Sequence, residues 1–269
     1  MENRYEEYSS RTDGIPFILS SRLHRSALLV SREANWHENL EIQLCNEGAG
    51  SVLLDGQRVG FACGETVVVN AGVIHHTGTE GELVYSCLIM DSAFCREAGI
   101  NPSALRFEEH FADQRVCEHF AEICRVYAAK DAPCRVARLR LLALSLLILL
   151  REEHTISTVP GAANTAMHQN AKAAIRYIRA HASERLSLEG IAQALYVNKY
   201  VLSRQFKAVV RQTVVGYLNG YRCQQAYAML QNGATVAEAA HACGFANLPF
   251  FAKTFRRYIG TPPSACRKK

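Results

Sequence analysis

The chain has 269 residues and a formal net charge of +5 at pH 7, and 49% of its residues are hydrophobic. This length allows one large domain or two of ordinary size. The ten cysteines form no C-x-x-C pair and no secretory signal is evident, which excludes a disulfide scaffold and favours buried thiols in a reducing compartment. The longest apolar run, residues 141–150, is too short to span a bilayer.

The first part of the chain, from about residue 15 to residue 90, alternates short β-prone runs with turns. Asp55 and Gly56, between two of these runs, are typical of a hairpin turn. Strands at this spacing, with glycine-bearing turns, predict a small all-β barrel or sandwich. The predicted strands cover residues 26–30, 40–44, 50–54, 66–69 and 83–90.

Two helices are predicted after the strands, over residues 116–129 and 136–153, because apolar residues there follow a helical spacing. Pro133 separates them. The second helix is so apolar that it must be covered on more than one side, by the β domain, by the first helix or by a second subunit. Core packing and a dimer seam are both compatible with this pattern.

The last third of the chain is strongly basic. From Lys172 to the end there are 15 Lys and Arg residues against 3 Asp and Glu residues, a net charge of +12 that leaves −7 for the first 171 residues. Such a segment is typical of a polyanion-binding module, and a merely soluble basic domain is the alternative. Residues 155–170, rich in small and polar residues without periodicity, are predicted to be the linker before it.

Two stretches of the basic segment, residues 187–207 and 235–256, repeat each other's pattern about 49 residues apart. Each has a capping residue, a short Ala-rich helix, a tight turn, a capping Asn and a second helix. In the second stretch Gly244 supplies a left-handed turn and Phe245 anchors it. The repeat predicts two helix-turn-helix units, and therefore two helices that enter the DNA major groove.

The helices that follow Asn198 and Asn247 are the predicted DNA probes. Arg204 is the leading candidate for a base contact, because a guanidinium can pair with guanine through two hydrogen bonds. For each such side chain a solvated surface group is the alternative, and we expect the first unit to supply most of the discrimination. The predicted base-contacting residues are Tyr200, Ser203, Arg204, Asn247, Leu248, Ala252 and Lys253. The predicted phosphate-binding residues are Lys199, Lys207, Arg256 and Arg257.

Residues 172–269 resemble the DNA-binding domain of the AraC/XylS family of bacterial transcription regulators. Patterns that carry the resemblance include Leu202-Ser-Arg-x-Phe-Lys207, Gly244-Phe245, Phe251-x-x-x-Phe255 and Gly260-Thr-Pro-Pro263. Arg211 stands where the family usually has Gly. The residues that this resemblance implies as holding the architecture are Ala192, Leu202, Phe206, Gly244, Phe245, Phe251, Phe255, Gly260 and Pro263.

The β-rich region resembles the cupins more faintly. His37-x-x-x-Glu41 is similar to the first cupin motif, and Gly64 followed by Asn70-x-Gly72-x-x-His75 is similar to the second. Metal-binding cupins use three His and one Glu from these motifs, whereas Asn39 stands at one of the His positions here. We therefore expect no metal and no cofactor. The resemblance favours a small-molecule effector pocket, with ordinary packing as the alternative. The candidate pocket residues are Trp36, His37, Glu41 and His75.

Together these features predict an α+β protein of several domains: a cupin-like β-barrel with two following helices, and an all-α domain with two helix-turn-helix units. The predicted divisions are a sensor domain over 1–110, a helical dimerisation or packing segment over 111–154, the linker over 155–170 and the DNA-binding domain over 171–269. The expected function is that of a sequence-specific transcription activator, not an enzyme, in the bacterial cytosol and on the nucleoid.

The expected partners are double-stranded DNA, a small-molecule effector, a second copy of the chain and RNA polymerase, with no membrane. Two alternatives have different consequences. A metal-dependent cupin enzyme predicts bound metal in the purified protein. An architectural DNA-binding protein predicts little sequence preference, a steep dependence of affinity on salt and no effector.

Overall fold

The computed structural model describes residues 14–26, 34–157 and 165–267. The described residues divide into two compact units: residues 14–25 with 36–157 form a β-rich unit, and residues 26, 34–35 and 165–267 form a helical unit. The predicted α+β class, with a β-rich unit before a helical unit, is confirmed. In the described ranges no helix has the length and apolar character needed to cross a membrane.

Antiparallel pairing around one long strand, β2, organises the β-rich unit. The main sheet has the order β1-β6-β2-β4-β8, strands β3 and β5 also pair with β2, and β7 pairs with β9 in a separate ribbon. The strands are β1 (Phe17–Ser26), β2 (Leu40–Leu54), β3 (Gln57–Ala62), β4 (Thr66–Val69), β5 (His75–Gly78), β6 (Glu82–Met90), β7 (Arg106–Phe107), β8 (His110–Phe111) and β9 (Thr155–Ser157).

The predicted strands over 66–69 and 83–90 correspond to β4 and β6. The two strands predicted over 40–44 and 50–54 are one continuous strand, because a bulge between Cys45 and Glu47 absorbs the irregularity while pairing with β6 continues. Gly48 permits this, since it has φ 74° and a Cβ there would lie 2.1 Å from the carbonyl oxygen of Glu82. Of the strand predicted over 26–30, only Ser26 lies within the described residues.

The hairpin turn predicted at Asp55 and Gly56 is present, with φ of 45° and 87°, and it joins β2 to β3. Strands β3 and β5 were not predicted. Their sequences, Gln-Arg-Val-Gly-Phe-Ala and His-His-Thr-Gly, are short and contain polar or glycine residues. Pairing with β2 makes them strands: β3 pairs with β2 across the hairpin turn, whereas β5 pairs with β2 over a longer separation in sequence.

Alternation along β2 places polar side chains inside the unit. Leu40, Ile42 and Leu44 pack in the core that includes the helices, together with Leu88 of β6. The residues between them point to the opposite face, because successive side chains of a strand alternate. There Cys45 packs with residues of β3, β4 and β6 in a second core, and Glu41 and Gln43 are buried.

The two predicted helices after the strands correspond to α2 (Gln114–Ala128) and α3 (Arg135–Glu153), which follow the short helix α1 (Ser92–Glu97) and a 3₁₀ turn (Pro102–Ala104). The buried residues of α3 are Leu139, Ala143, Leu146, Leu147 and Leu150. Leu141 is 67% exposed and Ile148 is 42% exposed. The apolar face of α3 is therefore only partly covered within the described chain.

The helical unit consists of α4 (Ala166–Ala180), α5 (Leu188–Ala194), α6 (Lys199–Val210), α7 (Val214–Gln231), α8 (Val236–Ala242), α9 (Leu248–Ile259) and α10 (Pro263–Cys266). The prediction of an irregular linker over 155–170 is wrong at both described ends. Residues 155–157 form β9, and α4 begins at Ala166 with Thr165 as its cap. The pairing of β9 with β7 is long-range, so local composition does not reveal it.

Candidate nucleic-acid interface and sensor site

Helices α5 and α6 form the first helix-turn-helix unit. Ser187 caps α5 by accepting a hydrogen bond from the amide of Gly190 at 3.1 Å. Asn198 caps α6 by accepting one from the amide of Tyr200 at 2.9 Å. Each cap satisfies an amide that the first turn of a helix leaves without an intrahelical partner. The two caps therefore fix where the turn ends and where the exposed helix α6 begins.

Helices α8 and α9 form the second unit. Thr235 and Glu238 make a capping box: the Glu238 amide donates to the Thr235 hydroxyl at 3.2 Å and the Thr235 amide donates to the Glu238 carboxylate at 2.8 Å. Asn247 caps α9 by accepting from the amide of Phe250 at 2.8 Å, and Pro249 lies in the first turn. The predicted caps of both units are in place.

The turns of the two units contain an equivalent backbone hydrogen bond, but they differ in length by one residue. The amide of Val197 donates to the carbonyl of Ala192, and the amide of Phe245 donates to the carbonyl of Ala240, which is an offset of 48 residues. Helices α6 and α9 start at Lys199 and Leu248, an offset of 49. The second turn is therefore one residue longer, and the repeat is a structural one and not only a similarity of sequence.

Left-handed residues end corresponding segments of both units. Gly244 and Gly260 have φ of 77° and 89°, and the equivalent residues of the first unit are Tyr196 and Arg211, with φ of 54° and 58°. Arg211 thus keeps the geometry that the family's usual Gly would give, and its amide donates to the carbonyl of Lys207 at 3.1 Å. A side chain in this conformation costs roughly 1–2 kcal/mol relative to Gly.

The residues predicted to hold the architecture lie inside the helical unit or at its left-handed turns. Gly244 and Gly260 take the positive φ that was expected of them. The others are all buried: Ala192, Leu202, Phe206, Phe245, Phe251, Phe255 and Pro263. The rings of Phe245 and Phe251 lie 4.9 Å apart, so the second turn is anchored on the buried side of α9.

The outer faces of α6 and α9 carry most of the predicted DNA contacts. On α6 Tyr200 is 75% exposed, Arg204 and Lys207 are exposed, and Ser203 is half-buried. On α9 the exposed predicted residues are Leu248, Ala252, Lys253, Arg256 and Arg257. Phe250, in the first turn of α9, is 49% exposed, whereas Phe251 and Phe255 are buried.

Two predicted contacts have other partners. The ammonium of Lys199 lies 2.9 Å from the carboxylate of Glu189, so part of its charge is already balanced. Asn247 uses its side-chain oxygen to cap α9, which leaves only the donor side of its amide for a base. Both side chains therefore already have a partner within the helical unit.

Arg222 of α7, for which no separate role was predicted, braces the helical unit. Its side chain is buried, and it donates to the carbonyl of Ala182 at 2.8 Å and to that of Glu184 at 2.6 Å. Its guanidinium lies 5.7 Å from the ring centre of Phe245. This one side chain therefore links the chain after α4 to the turn of the second helix-turn-helix unit.

Three of the four predicted pocket residues meet inside the β-rich unit. Nε2 of His37 lies 2.9 Å from Oε2 of Glu41, and Nε2 of His75 lies 3.1 Å from the same oxygen. The side chains of His37, Glu41 and His75 are 9%, 6% and 7% exposed. Trp36 is half-buried. His76, next to His75 on β5, faces the other way, as the alternation of a strand requires.

Burial and charge act in opposite directions on this cluster. Burial by itself raises the pKa of Glu41, but His75 and His37 outweigh it and hold the pKa of that carboxyl well below its usual range. Burial lowers the pKa of His75, and the Glu41 carboxylate reverses this, so that the pKa of His75 is raised. The cluster therefore favours an ionised Glu41 carboxylate beside a positively charged His75.

Asn39 does not join the cluster. Its side-chain oxygen accepts a hydrogen bond from the amide of Ser92 at 3.0 Å, at the start of α1. Its backbone carbonyl lies 3.1 Å from Nδ1 of His37. Asn39 therefore contacts His37 through Nδ1 of the ring, and its side chain does not join those of His37, Glu41 and His75.

Family models match both units. The model of the AraC-like ligand binding domain matches residues 20–150, and that of a helix-turn-helix domain matches residues 191–269. The chain belongs to the AraC/XylS family of transcription regulators. It combines the ligand-binding domain of that family with its helix-turn-helix DNA-binding domain.

Relatives of this AraC/XylS member include transcriptional activators. The chain is 27% identical to the activator RhaS of Citrobacter koseri over 94% of this chain and 92% of that protein. It is 31% identical to RhaS of Escherichia fergusonii over 63% of this chain, but that match spans only 59% of the relative's length. The solved structure of ToxT from Vibrio cholerae has the same fold, with a TM-score of 0.51, 10% identity, and coverage of 93% of this chain and 96% of that one.

Proposed function

We propose that this protein is a small-molecule-responsive transcription activator that places α6 and α9 in successive major grooves of DNA. The observation that carries the proposal is the pair of structurally equivalent helix-turn-helix units in one basic unit, each presenting an exposed helix. The region from Lys172 onwards has a net charge of +12, which suits the phosphate backbone. The relatives named as activators favour activation over repression.

The two exposed helices suit different tasks. Helix α6 presents Tyr200, Ser203 and Arg204, whose hydrogen-bonding groups can distinguish base pairs. Helix α9 presents Leu248 and Ala252, which suit thymine methyl groups, with Arg256 and Arg257 at its C-terminal end for phosphates. The first unit would therefore supply most of the sequence discrimination, and the second would mainly anchor the protein.

Selection of bound sequences from a random duplex library tests this function. The expected result is an enriched site with two conserved blocks about 10 base pairs apart, the better conserved block being contacted by α6. Mapping of bound sites across the genome of the source organism would then connect the site to its genes. Binding without any enriched sequence, with a steep loss of affinity on adding salt, would instead indicate an architectural protein.

The exposed stripe of α3 favours assembly with a second copy of the chain. Leu141 and Ile148 are seven residues apart and so lie on one face, with Leu144 half-buried between them. A symmetric pair of α3 helices would cover this face in both copies. Light scattering tests the assembly: Leu141→Lys with Ile148→Lys should give monomers, whereas Ala121→Lys, at an exposed position of α2, serves as the matched control.

Regulation by a ligand is the second part of the function. A ligand that prefers one DNA-bound arrangement shifts the protein towards it by its difference in affinity for the two arrangements. We place the effector in the β-rich unit near His37, Glu41 and His75, and assign no catalytic role to them. A change of operator affinity or of dimer geometry on adding a metabolite would support this, and footprinting with RNA polymerase tests activation.

A further inference from the structure

Arg222 is a buried cation that no anion accompanies. Its Nε and Nη2 donate to the backbone carbonyls of Ala182 and Glu184, which are neutral acceptors. The side-chain carboxylate of Glu184 lies 2.7 Å from Nδ1 of His181 and is paired with that ring instead. Across the described ranges, Arg222 forms no ion pair with a carboxylate. Its hydrogen bonds are therefore largely satisfied, but its charge is not balanced.

Enclosing an unbalanced charge is costly. Transfer of a cation out of water disfavours its charged form unless an anion compensates, and burial accordingly lowers the pKa of the Arg222 guanidinium. The neighbouring thiols of Cys243 and Cys223 supply no negative charge at neutral pH, because burial raises their pKa values to about 11 and about 12. An anion placed beside Arg222 would supply the missing charge.

Arg222 lines a pocket of the helical unit where such an anion has room. The pocket has a volume of about 230 Å³, which admits a small organic molecule but not a drug-sized one. Its walls come from the end of α4, from α7 and from the end of α8. The third nitrogen of Arg222, Nη1, is not enclosed and has no hydrogen-bond acceptor among the residues that the structure describes. Nη1 is therefore a charged donor for a molecule in this pocket.

A second guanidinium lines the same pocket. Arg179 of α4 is half-buried, its Nε donates to the Tyr217 hydroxyl at 2.9 Å, and its guanidinium carbon lies 5.7 Å from the ring centre of Tyr221. Ser183 and Gln225 add a hydroxyl and an amide, which are further donors. Guanidinium nitrogens match the spacing of carboxylate and phosphate oxygens, so this set of groups suits an oxyanion.

The remainder of the pocket lining includes the apolar side chains of Met229, Ala242 and Cys243. We propose that the pocket binds a small organic molecule whose oxyanion group, a carboxylate or a phosphate, pairs with Arg222 and Arg179. The carbon chain of that molecule would lie against the apolar side chains. This site lies in the helical unit and is separate from the effector site proposed in the β-rich unit.

An occupant of this pocket would also act on the second helix-turn-helix unit. Cys243 is the C-cap of α8, and the guanidinium of Arg222 lies 5.7 Å from the ring centre of Phe245 in the following turn. A molecule that binds the folded state and not the unfolded chain stabilises the fold in proportion to its occupancy. We therefore expect the anion to raise the unfolding temperature of the protein, and its uncharged analogue not to do so.

Ligand-observed NMR on the full-length protein tests the site. The probes are butyrate and butyl phosphate, with 1-butanol as the uncharged comparison, each titrated at constant ionic strength. We expect at least one anion to bind with a dissociation constant of about 1 mM or lower and about tenfold more tightly than 1-butanol. The tighter anion identifies the oxyanion group. If 1-butanol binds as tightly as the anions, or if the folded protein binds neither anion, the proposal is wrong.

Variants locate the binding in this pocket. Ala242→Phe fills the pocket from an exposed position of α8 and leaves both arginines unchanged, so it should abolish binding. Ala121→Phe, at an exposed position of α2, is the matched control and should bind as wild type does. Arg179→Gln should weaken binding of the anion about tenfold and leave that of 1-butanol unchanged. Circular dichroism checks folding, and either variant decides if the other does not fold. Anion binding that a folded variant leaves unchanged would overturn the proposal.

The DNA backbone is another source of oxyanions for these arginines. If it were their partner, Ala242→Phe and Arg179→Gln would weaken binding of random duplex DNA while neither free anion binds, and this pair of results would overturn the proposal. The NMR titrations contain no DNA and do not depend on the β-rich unit. Their failure would therefore leave the proposed regulatory function standing.

Discussion

Arg222 and Gly244 meet at the same stretch of backbone. Arg222 donates from Nε to the carbonyl of Ala182 at 2.8 Å, and a Cβ added to Gly244 would lie 2.8 Å from that oxygen and 2.9 Å from Nη2 of Arg222. The turn of the second helix-turn-helix unit is therefore packed directly on the brace that holds the end of α4. Two stability predictions follow from this contact.

Gly244→Ala should destabilise the protein by about 2 kcal/mol or more, because the residue has φ 77° and the new methyl group overlaps two backbone carbonyls. Gly190→Ala is the matched control. Gly190 lies in α5 and a Cβ there would be 3.4 Å from the Ser187 hydroxyl, an ordinary contact, so stability should stay the same or rise by about 0.5–1 kcal/mol. Urea unfolding measures both, and equal effects would contradict the assignment.

Arg222→Lys should cost about 2–4 kcal/mol, although it preserves the charge. The guanidinium makes these two hydrogen bonds from different nitrogens, Nε and Nη2, and the single nitrogen of the Lys ammonium does not match their spacing. One of the two carbonyls should therefore lose its hydrogen bond. Arg185→Lys, on an exposed arginine, controls for the substitution itself. A change in the free energy of unfolding below about 0.5 kcal/mol would show that Arg222 does not brace the unit.

Arg211→Gly should stabilise the protein by about 0.5–1 kcal/mol. Gly adopts the left-handed conformation at the end of α6 without steric strain, and the larger conformational entropy of the unfolded chain offsets part of that gain. Arg211→Ala distinguishes this cause from the loss of a side chain. Alanine keeps the strain, so it should give no gain. Chemical denaturation of the two variants in parallel makes the comparison, and equal stabilities would refute the strain.

Arg204→Ala should reduce specific DNA binding by about 1–3 kcal/mol and relax sequence preference at one position. Lys207→Ala should weaken specific and random DNA alike and lower the salt dependence of binding. Arg125→Ala, on an exposed residue of α2, is the control. Competition binding against random duplex DNA measures these effects. An equal loss of affinity for specific and random DNA in Arg204→Ala would show that Arg204 does not contact a base.

Asp113 makes stability depend on pH. It caps α2, accepts hydrogen bonds from Arg115, and lies 3.0 Å from Nε2 of His154. The Arg115 contact, which outweighs burial, together with His154 holds the pKa of Asp113 below its usual range. A carboxyl with a lowered pKa stabilises the folded state above the unfolded value of about 3.9, and this contribution is lost as the pH falls towards the folded pKa.

Asp113→Asn keeps the cap and removes the charge. It should lower the free energy of unfolding by about 1–2 kcal/mol at pH 7, and the difference from wild type should shrink below about pH 4. Urea titrations at pH 7 and at about pH 3 check this, with Asp131→Asn in the exposed turn before α3 as the control. A difference that is the same at both pH values would exclude the charge as its origin.

Several site features were predictable because they depend on neighbours in sequence. The caps at Ser187, Asn198, Thr235 and Asn247 and the left-handed Gly244 follow from local hydrogen bonds and backbone preference. The exposure of Arg204 and Lys207 follows from the helical period once Leu202 and Phe206 are assigned to the core. The helical period does not decide whether Phe250 is buried, because Pro249, Phe250 and Phe251 are consecutive and leave the phase of the pattern ambiguous.

The sequence by itself determined the family, the α+β class and the two helix-turn-helix units, because these depend on short-range spacing and on motifs that recur within the chain. Only the tertiary structure decided which distant groups meet: His75 with Glu41, Arg222 with the carbonyls after α4, and β9 with β7. Such contacts depend on strand register and on the packing of helices. A change of one residue in register would turn Glu41 and Gln43 to the opposite face of β2, and local sequence does not fix that register.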